Sequence, residues 1–393
     1  MEIVLFKRDE IKFEYFKDQE IYRYTKGNLK KLEYGNYIDL DRTKCKIDLL
    51  DKNLEKIRRA AVKYLHEYEL VKVLCKKSVI SRAYFKLYEI IYFEPIILLP
   101  ELNCLMLCEA PGGFIECIVD IRRKKNLRTS YISISKQDAE IKYDNYLEEN
   151  NLFYGDITDP KVINETIFNV LQKFPQGLDV ITADGGFDIK LFNGQEIISS
   201  KLLLCEMFIA LSTQKIGGTF IIKFFDMFTH NSIVFYLLLC SFYESVKIIK
   251  PKTSRNCNSE RYLVCSNFHK TDVKIMNNLL VIIKKMKIDF ENDVQTLVYP
   301  NFNFNILPNF SKKICSFNNL IVHEQIKIIN ESIKMVYNKD TYFQNLLLKI
   351  FLEKFNHSLI VSYKHILCSR IKKSINFLKM HNINTHQIVY RLF

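Results

Sequence analysis

Four residues of the 393-residue chain have types and settings suited to proton transfer: Lys86, Asp184, Lys223 and Glu260. Lys86 lies in Ser81-Arg82-Ala83-Tyr84-Phe85-Lys86-Leu87-Tyr88-Glu89, a predicted helix with Ser81 as its N-cap. Asp184 ends the apolar strand of Ile181-Thr182-Ala183-Asp184-Gly185-Gly186, and Lys223 ends Gly218-Thr219-Phe220-Ile221-Ile222-Lys223. Glu260 closes the polar stretch from Lys252, just before a last strand. A hydroxyl is a poor nucleophile and needs a base as it attacks. A lysine can be that base only if burial or a nearby cation destabilises its ammonium. Two lysines with two carboxylates supply such a setting, one lysine as base and the rest holding base and hydroxyl in line. Plainer roles compete. Lys86 and Glu89 also fit as helix-face charges, and Glu260 as a partner for Arg261 or another surface cation. Lys223 is harder to place that way, because a lysine closing a buried strand must find a partner.

The elements that would bring these residues together fall within 71–268. Short apolar runs read as strands at Cys104–Cys108, Ser130–Ser135, Leu178–Ala183, Thr219–Lys223, Val246–Lys250 and Tyr262–Cys265. Helical patterns fall between them, near Phe114–Arg123, Pro160–Lys173, Ser199–Thr213 and Ser232–Tyr243. That alternation predicts a doubly wound α/β domain, a parallel sheet with crossover helices. The carboxyl ends of such strands form the ligand crevice. Residues 1–70 are charged and Tyr-rich, with one helical stretch near Leu54–Leu65, and read as an arm or substrate-binding cover. Residues 269–393 read as a mostly helical extension, as in Asp340–Lys354 and His365–Met380.

A second constellation follows the first strand. Leu105-Met106-Leu107-Cys108 runs into Glu109-Ala110-Pro111-Gly112-Gly113 and then a helix from Phe114. Glycines there let the backbone approach a nucleotide-like ligand, and free helix N–H groups face its polar end. A plain turn is the competing reading. In Gly155-Asp156-Ile157-Thr158-Asp159, Asp156 could accept from an adenine amino group, while Asp159 caps the helix beginning at Pro160.

Composition sets outer bounds. A net charge of +13 suggests a polyanionic partner. Eleven Cys without a C-x-x-C pair or metal-type spacing predict reduced, intracellular thiols and no metal. The apolar run at the N-terminus is cut short by Lys7-Arg8, and Ile233–Phe242 is too short for a bilayer, so no membrane association is expected.

These motifs resemble the FtsJ-like 2′-O-methyltransferases with their Lys-Asp-Lys-Glu tetrad. They look most like the branch that methylates mRNA caps in eukaryotes and large DNA viruses. The resemblance covers about 78–268 and rests on three blocks: Glu109 to Phe114; Ala183 to Phe187 with Gln195-Glu196-Ile197; and Lys201 to Cys265. It implies a Rossmann-like sheet using S-adenosyl-L-methionine, with Lys86, Asp184 and Lys223 as catalytic core and Lys223 as base on a ribose 2′-hydroxyl. It also implies that Glu260 completes the tetrad and touches the ribose. Ser81, Cys108, Glu109, Ala110, Pro111, Gly112, Gly113, Phe114, Asp156 and Ile157 would hold the cofactor. Asn193, Gly194 and Gln195 would face the RNA. Arg58 and Arg59 match either a basic substrate-contacting segment or a solvated helix face. The implied partner is the 5′ end of capped mRNA, with other capping or transcription machinery, in nucleus or cytoplasm. Two departures stand out: Asn256 replaces the family's usual proline, leaving that loop's rigidity open, and Ser135-Lys136 replaces the acid that usually meets the cofactor ribose. Methylation of the first transcribed nucleotide is expected. The second nucleotide, an rRNA or tRNA substrate, and a catalytically dead RNA-binding subunit are the alternatives.

Overall fold

The computed structural model describes residues 2–7, 22–26, 34–92, 94–136, 151–186, 194–286, 288–289, 294–298, 308–338, 340–352 and 357–385. The chain starts with strands β1 (Glu2–Lys7) and β2 (Tyr22–Lys26), then helices α1 (Tyr34–Asp48), α2 (Lys52–Leu65) and the short α3 (Val71–Leu74). Asp51 starts α2 by accepting from the N–H groups of Asn53 and Leu54 at 2.8 and 2.9 Å. Next come α4 (Ala83–Ile91), β3 (Glu101–Leu107), α5 (Gly113–Arg123), β4 (Arg128–Ser135), β5 (Leu152–Tyr154) and α6 (Pro160–Lys173). They are followed by β6 (Leu178–Ala183), α7 (Gln195–Ile198), α8 (Ser200–Thr213), β7 (Gln214–Phe224), α9 (His230–Phe242), β8 (Tyr243–Lys250) and β9 (Arg261–Phe268). The extension holds α10 (Val273–Lys285), β10 (Ile288–Asp289), β11 (Val294–Val298), α11 (Pro308–Tyr337), α12 (Thr341–Phe351), α13 (His357–Ser362) and α14 (Lys364–Met380). Among the described residues no helix is long and apolar enough to cross a membrane.

The main sheet has the order β1-β8-β9-β7-β6-β3-β4-β5, and β2, β10 and β11 form a small antiparallel sheet of their own. The expected parallel pairing holds for β7-β6-β3-β4-β5. It fails for β9, which runs antiparallel to both β7 and β8. The reason lies in the connection: residues 251–260 are too few for a parallel crossover, which needs a dozen or more residues and usually a helix. The N-terminal region adds an edge strand to this sheet, with β1 pairing antiparallel with β8 from Glu2 opposite Lys250 to Lys7 opposite Ser245.

Alternation along the strands builds two cores, one on each sheet face. Leu105, Leu107, Ile181, Ala183, Phe220 and Ile222 pack with α6, α8, α9 and α10. Cys104, Met106, Val180, Ile221, Tyr262 and Val264 pack with α2, α4 and α5, and with α12 and α14 of the extension. The C-terminal helices therefore close a core that the strands begin.

Candidate active site

Strand parity brings the four chemistry-bearing residues to one place. Asp184 continues the face of Val180, Lys223 that of Ile221, and Glu260 that of Tyr262 and Val264, all toward the side that α4 covers. Glu260 precedes its strand yet reaches the carboxyl edge of the sheet, because β9 runs backward and pairs Arg261 with Phe224 and Tyr262 with Lys223. Lys223 Nζ donates to the Asp184 main-chain oxygen at 2.7 Å and lies 3.2 Å from Asp184 Oδ1. Lys86 Nζ sits 2.8 Å from the Glu260 carboxylate, which also accepts from Ser254 Oγ at 2.8 Å. Tyr262 Oη donates to Asp184 Oδ1 at 2.9 Å. The four side chains thus form two ion pairs over the end of the parallel strands.

Electrostatics correct one expectation. Burial alone would lower the Lys223 pKa, but Asp184, Glu260 and Glu206 outweigh it and raise the value above that of an ordinary lysine. The carboxylates, not a neighbouring cation, dominate its surroundings. For Glu260 burial pushes upward, and Lys86, Lys223 and Lys250 together hold it well below the usual carboxylate range.

The loop after β3 has a geometry different from the expected open helix N-terminus. Cys108 adopts φ +57° and Gly112 φ +113°, and both lie in the left-handed region. Glu109 is buried, and its Oε1 accepts from the N–H groups of Phe114 and Ile115 at 2.6 and 3.1 Å. These helix donors are consequently taken by the chain itself rather than left for a ligand. Gly113 answers a close approach to another segment: a Cβ there would stand 2.2 Å from Ser81 Oγ. Ser81 itself lies ahead of α4 and accepts from Ala83 N at 3.2 Å, but Arg82 holds the cap position, one residue later than expected. Phe114 and Ile157 are core residues, leaving only their main chains for ligand contact. Ser135 Oγ accepts from Ala110 N at 2.9 Å and so steadies the loop. Asp159 caps α6 through Lys161 N at 2.9 Å. Asp156 accepts from Thr158 N and Oγ1 at 3.0 and 2.7 Å, pairs with Lys136 at 3.4 Å, and keeps its carboxylate partly in solvent. Burial pushes the Glu109 carboxyl toward its protonated form and leaves Oε2 without a partner, whereas the solvent-facing Asp156 carboxylate fits a ligand that carries amino donors.

Of the expected RNA-facing residues, Gly194 precedes α7, and Gln195 Oε1 accepts from Ser259 Oγ at 3.4 Å, next to Glu260. Asn193 lies outside the described residues. Arg58 is buried and doubly bonded to Glu55 at 2.5 and 2.8 Å, whereas Arg59 is mostly exposed and meets Glu55 at 3.0 Å. A solvated face therefore describes Arg59 and not Arg58.

Sequence reasoning missed Tyr262, Lys250 and Glu206. Glu206 is the one acid of α8, inside the apolar run Leu202–Leu211, and that isolation was the signal. Burial pushes its carboxyl up to about 8, against the pull of Lys223. A Cβ on Gly185 would meet Glu206 Oε1 at 2.3 Å, so the glycine lets the Asp184–Gly185 backbone settle on this acid.

Comparison with known proteins follows the same boundaries. Residues 79–268 match the family model of FtsJ-like methyltransferases. The chain is 32% identical over 241 residues to cap-specific mRNA (nucleoside-2′-O-)-methyltransferase 1 of Drosophila melanogaster, covering 56% of this chain and 29% of that protein. It is 38% identical over 173 residues to the protein of that name in Homo sapiens, covering 40% and 20% respectively. It is 32% identical over 248 residues to cap-specific mRNA (nucleoside-2′-O-)-methyltransferase 2 of Drosophila melanogaster, covering 58% and 35%. The matched region thus spans no more than about a third of these relatives.

Proposed function

We propose that this chain, whose residues 79–268 match the family model of FtsJ-like methyltransferases, methylates the ribose 2′-hydroxyl of the first transcribed nucleotide of capped mRNA. The observation that carries the reading is the meeting of Lys86, Asp184, Lys223 and Glu260 as two ion pairs at the carboxyl edge of the sheet. S-adenosyl-L-methionine supplies the methyl group, on a positively charged sulfur, when bound. Lys223 Nζ, in its neutral form, takes the proton of the attacking hydroxyl. Asp184 fixes that nitrogen through both its main-chain oxygen and its carboxylate, and Tyr262 fixes the carboxylate. Lys86 and Glu260 orient the ribose, and Gln195 touches the same loop through Ser259. The main chain of 108–113, together with Asp156, holds the cofactor.

The cap has a seat nearby. A cavity of about 550 Å³ lies between α2, α11 and the 251–260 segment. Tyr68 lines it, with the carboxylates of Glu67, Glu324 and Glu331 and the ammonium groups of Lys252 and Lys327. An N7-methylated guanine is a cation that stacks on an aromatic ring, its ring donors suit carboxylates, and the adjoining phosphates suit lysines. Capped and uncapped transcripts of one sequence, offered with labelled cofactor, test this reading. The capped RNA should be methylated at least about tenfold faster, with rates falling as salt rises. Equal rates would move the assignment to an rRNA or tRNA substrate.

A further inference from the structure

The 251–260 segment carries Glu260 without the proline expected to stiffen it, and the structure shows a different device. Lys250 closes β8 with its side chain buried. Its Nζ lies 2.7 Å from the Glu260 main-chain oxygen and 2.8 Å from both the main-chain oxygen and Oδ1 of Asn258. Ser254 Oγ and the Arg255 main-chain oxygen follow at 3.2 and 3.3 Å. An ammonium has three protons, so the segment offers it more acceptors than it can use at once. Other groups close the loop from outside: Glu89 accepts from Lys252 N, Thr253 N and Thr253 Oγ1 at 2.8 to 3.1 Å, and Glu69 pairs with Arg255 at 2.7 Å. Ser254 links the two systems, since its Oγ lies within reach of Lys250 Nζ and donates to Glu260 Oε1.

On the reading of Glu260 as a ribose-contacting residue, we propose that Lys250 is a positioning residue: its ammonium is the hub around which 251–260 is wound, and it sets Glu260, and through it Lys86, for the reaction. The groups facing Lys250 are Glu260 and Cys257 from its own loop, Arg261 from β9, Lys86 from α4 and His66 at the end of α2. Burial pushes its pKa down to about 7, against the pull of Glu260. A neutral amine keeps only two N–H donors, so loop order should loosen as this group loses its proton.

Lys250 also borders the 550 Å³ cavity, which allows a test by chemical rescue. Lys250→Ala should lower kcat on capped RNA about 100-fold, with S-adenosylmethionine affinity by calorimetry within threefold of wild type. Propylammonium, entering through the cavity, should restore at least a tenth of the lost rate. Tetramethylammonium, which has charge but no N–H donor, should restore none. Asn258→Ala, which keeps the lysine and removes one acceptor, should lower kcat about tenfold and supplies the test if Lys250→Ala does not fold. Wild-type kcat in the Lys250→Ala enzyme, equal rescue by both ions, or an Asn258→Ala enzyme with unchanged kcat would each overturn the proposal. A wild-type protein that fails to methylate capped RNA would instead overturn the functional reading beneath it.

Discussion

Replacing Lys223 by alanine should lower methyl transfer by about 10³-fold or more while S-adenosylmethionine binding stays within a few-fold. The size follows from the role: positioned general bases contribute about 10²–10⁴-fold, and Lys223 also holds the Asp184 main chain at 2.7 Å. The pH dependence is a sharper mark. Because Asp184, Glu260 and Glu206 raise the Lys223 pKa above that of an ordinary lysine, the neutral amine is scarce at pH 7. Its fraction grows tenfold per pH unit below that pKa. Single-turnover rates should therefore climb with a log slope near one below about pH 7, and less steeply above it as Lys250 loses its proton. An active Lys223→Ala enzyme, or a flat profile with chemistry rate-limiting, would remove Lys223 from the role.

Asp226→Ala should unfold the protein more readily, by about 3–5 kcal/mol in denaturant melts, the range for stranding buried charges. Asp226 is buried between Lys44 Nζ at 2.9 Å and the Arg261 guanidinium at 3.5 Å. Arg261, itself wholly buried, donates to Asn318 Oδ1 at 2.8 Å and sits 5.5 Å over the Phe317 ring. Asn318 in turn donates to the Met227 main-chain oxygen at 2.9 Å. One ionic cluster thereby joins α1, the segment after β7, β9 and α11, and the substitution leaves two cations without their carboxylate. Burial pushes the Asp226 carboxyl up, but Lys44 and Arg261 outweigh it and hold the pKa below its ordinary value. Its contribution is therefore complete at neutral pH and fades as pH falls below about 4, the unfolded value. The gap between wild type and variant should narrow there. A loss below about 1 kcal/mol at pH 7 would mean that the cluster is not stabilising.

What the sequence made legible was local or periodic. Helix α6 and strand β6 have the bounds that their patterns predicted, because Asp159-Pro160 starts the helix and charged or turn residues frame the strand. Lys223 stood out because it ends an apolar run. The same reasoning applied to Lys250 would have marked it too, since it also closes a buried strand. What stayed hidden depends on partners far away in the chain. The run Ile3–Phe6 is short and flanked by charge, and only β8 turns it into an edge strand. Glu109 reads as part of a binding loop until its carboxylate is seen on the N–H groups of α5. The direction of the Lys223 pKa could not be read from burial, because three carboxylates drawn from α8, the end of β6 and the loop before β9 decide it.

The most direct test of the central claim is methyl transfer to a capped RNA and to its twin carrying a single 2′-deoxyribose at the first transcribed nucleotide. The catalytic arrangement needs a ribose hydroxyl, and the proposed function places it on that nucleotide. The all-ribose RNA should accept one labelled methyl group, recovered on the first nucleotide after digestion, and the deoxy twin should accept none. Equal labelling of both RNAs would contradict the assignment and place the methyl group on the second nucleotide or elsewhere.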